Sequence, residues 1–147
     1  MINTVSMGDI GEQYAALMFS KKGCTVSKPL TNNARYDLVV EIQGKLYRVQ
    51  VKSTECVKDG KMIFATKTTN YTKGSWTSNH YSLNEVDMFF LYCQENDWCG
   101  LYVPEEEIGT QLTIRTELPK NNQRIGIRLA EDYCFEKQLG ELTQLAE

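Results

Sequence analysis

The chain has 147 residues, 41% hydrophobic and 24% charged, with a net charge of −3. This length and balance fit one folded domain, residues 1–147, with a substantial core, and exclude a disordered chain. No run of about 18 apolar residues exists, which excludes a helical membrane span, and Met1-Ile2-Asn3-Thr4-Val5-Ser6 lacks the pattern of a secretory signal.

The first predicted element is a helix from Asp9, a candidate N-cap, to Lys21-Lys22-Gly23, where cations and a glycine suit a helix end. Ile10, Tyr14, Leu17 and Met18 make one apolar stripe, and Ala15, Ala16 and Phe19 another, so burial on two sides is expected. Glu12 follows Asp9 by three residues, the spacing of a capping box. It has two readings: a partner for a backbone N–H, or a half-buried carboxylate in a site. A short strand then covers Cys24 to Leu30, ended by Pro29 and the polar Thr31-Asn32-Asn33.

The chain is organised around Arg35 to Thr54. Two arms rich in β-branched and aromatic residues flank Gln43-Gly44, which predicts a hairpin with a two-residue turn. Counting outward, Ile42 faces Lys45 and Asp37 faces Gln50. Opposed residues share a sheet face, with Cβ atoms roughly 5 Å apart. Leu38, Val40, Ile42, Tyr47, Val49 and Val51 then form a core face. Asp37, Val39, Glu41, Leu46, Arg48, Gln50 and Lys52 line the other, which gathers a carboxylate, an amide and an amine at the open end. Carboxylate and amide oxygens are hard donors suited to Mg²⁺. A metal with a lysine beside a phosphodiester is a hydrolytic arrangement. The same pattern also fits an ordinary solvated hairpin.

A turn at Asp59-Gly60 leads to a strand from Lys61 to Lys67, with either Ile63 and Ala65 or Met62 and Phe64 inward. Thr66 to Tyr81 contains no acid and interleaves lysine, threonine, asparagine and aromatics. Arg35, Lys67, Asn70, Tyr71, Lys73, Trp76 and Asn79 are the candidate DNA contacts, since such groups reach phosphates and base edges. A long polar loop is the competing reading. Residues 1–82 hold eleven Lys and Arg against six Asp and Glu, whereas residues 83–147 hold five against thirteen. The half that carries the hairpin is therefore basic, and one face can attract phosphate.

Glu85 to Cys93 reads as a buried strand, with Asp97 to Val103 as its hairpin partner. Pro104-Glu105-Glu106-Glu107-Ile108 has the composition of a helix start. Gln111 to Thr116 suits an edge strand, and Ile125 to Leu129 another short strand. A helix from about Cys134 to Ala146 places Phe135, Leu139, Leu142 and Leu145 at helical spacing, to pack on the domain or on another subunit. The five cysteines include no Cys-x-x-Cys pair and read as reduced thiols. With His80 the sole histidine, zinc is a poor fit.

Asp37 followed by Gln50-Val51-Lys52 on the next strand, with Glu12 on an early helix, resembles the PD-(D/E)XK nuclease superfamily. Arg35-Tyr36-Asp37-Leu38-Val39-Val40, Tyr47-Arg48-Val49-Gln50-Val51-Lys52, Glu85 to Cys93 and Ile127 to Tyr133 are similar to its group I intron-associated homing endonucleases. There too glutamine replaces the second acid. The resemblance spans roughly residues 8 to 133.

It implies an α/β fold with a restriction-endonuclease-like core, a mixed β-sheet flanked by helices. It implies Mg²⁺-dependent, site-specific hydrolysis of double-stranded DNA, with Mn²⁺ able to substitute. Asp37, the Gln50 oxygen and the Val51 carbonyl would bind the metal, with Glu12 as a direct or outer ligand. Catalysis would rest on Glu12, Asp37, Gln50 and Lys52, with Lys52 positioning the attacking water. A cytoplasmic, prokaryotic or phage-encoded homodimer or homotetramer is expected, because two strands need two active sites. A Holliday-junction or repair nuclease using the same site, and a catalytically weak DNA-binding module, are the alternatives.

Overall fold

The computed structural model describes residues 4–145, and the side chains of these apart from 4, 5, 68–72, 78 and 145. Helix α1 (Thr4–Lys21) is followed by strands β1 (Thr25–Ser27), β2 (Leu38–Ile42), β3 (Lys45–Thr54), β4 (Lys61–Ala65), β5 (Lys67–Thr72) and β6 (Ser75–His80). Then come β7 (Met88–Cys93), β8 (Trp98–Tyr102), β9 (Gln111–Arg115), α2 (Ala130–Tyr133) and α3 (Phe135–Leu145). Five strands form a mixed sheet in the order β1-β2-β3-β7-β8, parallel at β3–β7 and antiparallel elsewhere. Two further pairs, β4–β9 and β5–β6, are antiparallel.

The central hairpin folds in the expected register, from Ile42↔Lys45 to Leu38↔Val49. Gln43 and Gly44 both have positive φ, 51° and 81°, which matches the twist of two paired strands and leaves no freedom for a slip. One face of the sheet carries Leu38, Val40, Val49, Val51, Met88 and Phe90, packed against Ala15 and Phe19 of α1 and Phe135 and Leu139 of α3. The other face, through Phe89 and Leu91 of β7, packs on Met62, Phe64, Leu112 and Ile114 of the β4–β9 pair. Strand β7 is therefore buried on both sides, as its unbroken apolar run requires.

Helix α1 begins before Asp9, so Asp9 lies inside it and the capping box is absent. Its buried line is Gly11, Ala15 and Phe19, while Leu17 is 54% exposed. A Cβ on Gly11 would lie 2.2 Å from Ser53 Oγ and 3.2 Å from Val51 Cγ1, so the glycine sets how closely α1 approaches β3. Ser53 Oγ is buried without a hydrogen-bond partner among the described residues. Gly11→Ala alone is expected to destabilise by about 1–2 kcal/mol through overpacking. Ser53→Ala removes the obstructing oxygen and an unpaired polar group, and alanine suits a helix interior better than glycine. The double variant is thus expected to be about 1 kcal/mol more stable than wild type in urea denaturation. A double variant weaker than Ser53→Ala alone would contradict this packing.

Three other expectations are corrected. Residues 66–81 form the β5–β6 ribbon instead of a loop, with Lys73 and Gly74 at φ 52° and 79° in its turn. Residues 104–108 are not helical: Ile108 is buried and the three glutamates are exposed, so no apolar stripe continues to hold a helix. The strand at 125–129 reduces to one bridge, Arg115↔Leu129, because Gly126 has φ 76° and Ile125 is exposed. The expected C-terminal helix is α3, which packs on this chain's own sheet; the short α2 precedes it, and the extended Cys134 (φ −60°, ψ 150°) separates the two.

The β3–β7 register is pinned at one end by ions. Asp87 Oδ2 accepts from Arg48 N (2.7 Å) and Nε (3.1 Å), Oδ1 accepts from Nη2 (3.1 Å), and Asp87 N donates to the Arg48 carbonyl (2.9 Å). Burial pushes the Asp87 carboxyl up, but the bonds from Arg48 outweigh it and hold the group below the usual range. Such a group adds stability above its unfolded value, lost as the pH falls toward the folded one. With about a third of each side chain open to water, Asp87→Asn is expected to cost about 1–2 kcal/mol at pH 7. In urea melts the difference between variant and wild type should shrink as the pH falls below the usual carboxylate range; a constant difference would refute the linkage.

Candidate active site

Asp37 stands one residue outside β2, where the ladder stops. Its N–H donates to the Val49 carbonyl (2.9 Å), and its Oδ2 accepts the Val51 N–H (2.8 Å). The carboxylate thus takes the place that a β2 residue would fill. In an antiparallel pair a residue's N–H and C=O share an edge, so the Val51 carbonyl opens toward the same space. Gln50 is 9% exposed, and its Nε2 lies 3.5 Å from that carbonyl. A half-turn of the amide brings Oε1 there instead, and the two oxygens then face one point.

Lys52 is half-buried. Burial pushes its amine down, Asp37 draws it back up and Arg35 adds to the lowering. Its Nζ sits 4.9 Å from the centroid of the Tyr81 ring. Burial also raises the Asp37 carboxyl above its usual range, against the pull of the Val51 N–H, Lys52 and Lys28. On α1, Glu12 is raised by burial and by the Asp37 and Asp9 charges, and lowered by Lys28, whose Nζ is 3.8 Å away. The start of α1 at Thr4 leaves Glu12 with no capping role, and its carboxylate feels the Asp37 charge while pairing with Lys28. Glu12 and Lys52 both feel the Asp37 charge, and Gln50 and Lys52 flank the Val51 N–H that Asp37 accepts. The ladder itself ends at Leu38↔Val49, with the Asp37 N–H on the Val49 carbonyl, so the expected pairing of Asp37 with Gln50 is not part of the register.

The donors suit a hard divalent ion: two carboxylates, both with raised proton affinity, one amide and one backbone carbonyl. Among the described residues no group of three or more His, Cys, Asp or Glu side chains is placed to hold a metal. An ion here would draw on the amide, the carbonyl and water for the rest of its shell.

The sequence profile of the PD-(D/E)XK endonucleases matches residues 2–136. The chain belongs to the PD-(D/E)XK endonuclease family. Membership makes the protein an endonuclease with DNA as its substrate, in a family whose members generally use divalent metals. A solved bacterial homing endonuclease, I-Ssp6803I, is similar with a TM-score of 0.78, covering 99% of this chain and 96% of its own, at 24% identity. That likeness establishes the shared fold. No curated protein matches at a significant level.

The remaining candidate contacts of this endonuclease lie on or below the ribbon. Lys73, Trp76 and Asn79 are exposed and Lys67 is half-buried, while the side chains of Asn70 and Tyr71 lie outside the described residues. Arg35 sits at the ribbon's root: its Nε pairs with Glu85 (3.0 Å) and its Nη2 donates to the His80 carbonyl (3.1 Å). Lys28 and Tyr81 were invisible to sequence reasoning, because each reaches the site through pairing between distant segments. A cavity of about 630 Å³ lined by Glu105, Glu106, Glu107 and Glu141 shares no residue with the site, and its charge repels phosphate. No described helix is long and apolar enough to cross a membrane.

Proposed function

We propose that this endonuclease is a Mg²⁺-dependent enzyme that cuts double-stranded DNA at a specific site, in the manner of a homing endonuclease. The observation that supports the reading is the bond from Val51 N–H to Asp37, which holds a carboxylate at the edge of β3 against the residue between Gln50 and Lys52. Asp37, the Gln50 oxygen and the Val51 carbonyl would hold the ion, with Glu12 completing or orienting its shell. When bound, Mg²⁺ polarises a phosphoryl oxygen and acidifies water; Mn²⁺ has the same preferences.

The chain's own residues supply the remaining chemistry. Lys52 presents an ammonium where negative charge grows on the phosphate, inside a site of reduced water content. The Val51 N–H holds Asp37 in one orientation. Glu12, with its raised carboxyl, can take a proton from water near the scissile bond. The β5–β6 ribbon has the width that a major groove admits, and its Lys67, Asn70, Tyr71, Lys73, Trp76 and Asn79 would make DNA contacts. Arg35, bonded at the ribbon's root, would set its angle to the site.

Residues 1–147 would act as one nuclease domain, in the cytoplasm of a prokaryotic or phage-infected cell. Cutting both strands requires two sites, so a homodimer or homotetramer is proposed. The test is purified protein with a plasmid library in Mg²⁺, sequencing the ends produced, alongside light scattering for subunit count. Recurrent ends at one long sequence are expected. Binding without ends at any protein concentration would overturn the enzyme reading in favour of a DNA-binding module.

A further inference from the structure

Lys52 carries the amine on which the proposed chemistry depends, yet a lysine stem is flexible and holds no fixed geometry by itself. In this structure the ammonium has a seat. Lys52 Nζ lies 4.9 Å from the centroid of Tyr81, and the Arg35 guanidinium carbon lies 4.4 Å from the same ring. Tyr81 is 3% exposed and stands edge-on to Phe89, with centroids 5.6 Å apart and planes at 86°. Phe89 is the residue that pairs with Gln50 across β3 and β7. The ring is therefore anchored to the strand beside the site.

Two cations on one ring repel each other; Arg35 is held by a direct ion pair, while the only opposite charge acting on Lys52 is that of Asp37. Arg35 is ion-paired to Glu85, whose Oε1 also accepts from Ser82 N (3.2 Å) in the turn leading to β7. Arg35 in turn holds the His80 carbonyl, one residue before Tyr81. The guanidinium is thus a neutralised clamp that fixes the ring, and the ring's negative face attracts the ammonium, which makes no direct ion pair among the described residues. The phenol cannot act as a base in this setting, since burial pushes it up to about 12.

We propose that Tyr81 is a positioning residue: its ring, clamped by Arg35, seats the Lys52 ammonium toward Asp37 and the scissile phosphate. This rests on the nuclease reading of Lys52. It adds that the last residue of the ribbon's root reaches the chemistry through an aromatic face, not through its hydroxyl.

The test replaces Tyr81 by phenylalanine, by leucine, and by phenylalanines carrying one, two or three ring fluorines. Fluorination weakens the ring's negative face while nearly preserving its shape, so folding is retained even where Tyr81→Leu is lost. Two quantities are read: the order of the Lys52 side chain by relaxation of its ¹³C-labelled ε-methylene, and the single-turnover cleavage rate on the recovered target. Tyr81→Phe should match wild type within about twofold. Order and rate should then fall stepwise, reaching about tenfold in rate at three fluorines, with DNA affinity unchanged. Equal order or equal rate across the fluorine series would overturn the proposal, as would a Tyr81→Phe rate as low as the trifluorinated one. Lys52→Ala run in parallel separates the two ideas. If it cuts like wild type, the nuclease reading of Lys52 fails. If it is inactive while the series stays flat, only the role of Tyr81 fails.

Discussion

Lys52→Ala is expected to lower single-turnover cleavage by about a thousandfold or more while changing DNA affinity by less than about twofold. The asymmetry follows from where the amine sits. Lys52 is half-buried among Asp37, Arg35 and Tyr81, so it has little surface with which to hold DNA in the ground state. In the proposed reading its value would lie in charge that develops on the phosphate during cutting. Binding energy would come, in the same reading, from exposed groups such as Lys73, Trp76 and Asn79. Lys52→Arg should not restore activity, because the Tyr81 ring already carries the Arg35 guanidinium and a second planar, delocalised cation cannot deliver the compact point charge of an ammonium. Single-turnover assays in Mg²⁺, with affinity measured in Ca²⁺, check both parts. Equal cutting by Lys52→Ala and wild type would remove Lys52 from the mechanism.

Asp37→Asn should eliminate cleavage to a similar degree and make the protein slightly more stable. Asparagine keeps an oxygen that can accept the Val51 N–H, so the local fold survives. It discards a carboxylate that burial makes costly, as its raised carboxyl indicates. A gain of about 3 °C in melting temperature at pH 7 corresponds to roughly 1 kcal/mol for a chain of this size. Wild type should gain further stability from added Mg²⁺, by mass action on the folded state, and the variant should gain none. Melting curves with and without the ion measure this directly. A variant that melts lower, or that Mg²⁺ still stabilises, would show that Asp37 serves the fold and not the ion. The expected trade of stability for activity is what a functional carboxylate in a poorly hydrated place should display.

Much of this site could be read from the sequence because one local device carries it. The Gln43-Gly44 turn fixes the hairpin register, and the period of two then carries Gln50 and Lys52 to one face near Asp37. Glu12 was ambiguous for a definable reason: its meaning depends on where α1 begins, and a polar Asp9 inside a helix resembles a cap. The ribbon was misread because Thr, Asn and Ser dominate both loops and solvent-exposed strands, and only the pair of positive φ angles at Lys73-Gly74 distinguishes them. The helix expected at 104–108 failed because three consecutive glutamates satisfy a charge rule while offering nothing to bury. Tyr81 and Lys28 depend on contacts across long stretches of chain, which no local pattern encodes.

The parallel pairing of β3 with β7 has a consequence for how the molecule comes into being. Val49 meets Met88, so that ladder waits for a long intervening segment to be made and closed, whereas the β2–β3 hairpin can zip on its own. Phe135 and Leu139 must arrive later still before the face against α1 is sealed. A chain emerging from the ribosome therefore holds Asp37, Gln50 and Lys52 side by side well before it has Phe89 and Tyr81 as a wall behind them. Cutting power should appear late in synthesis, in one cooperative step, and hairpin fragments ending before Met88 should be inert.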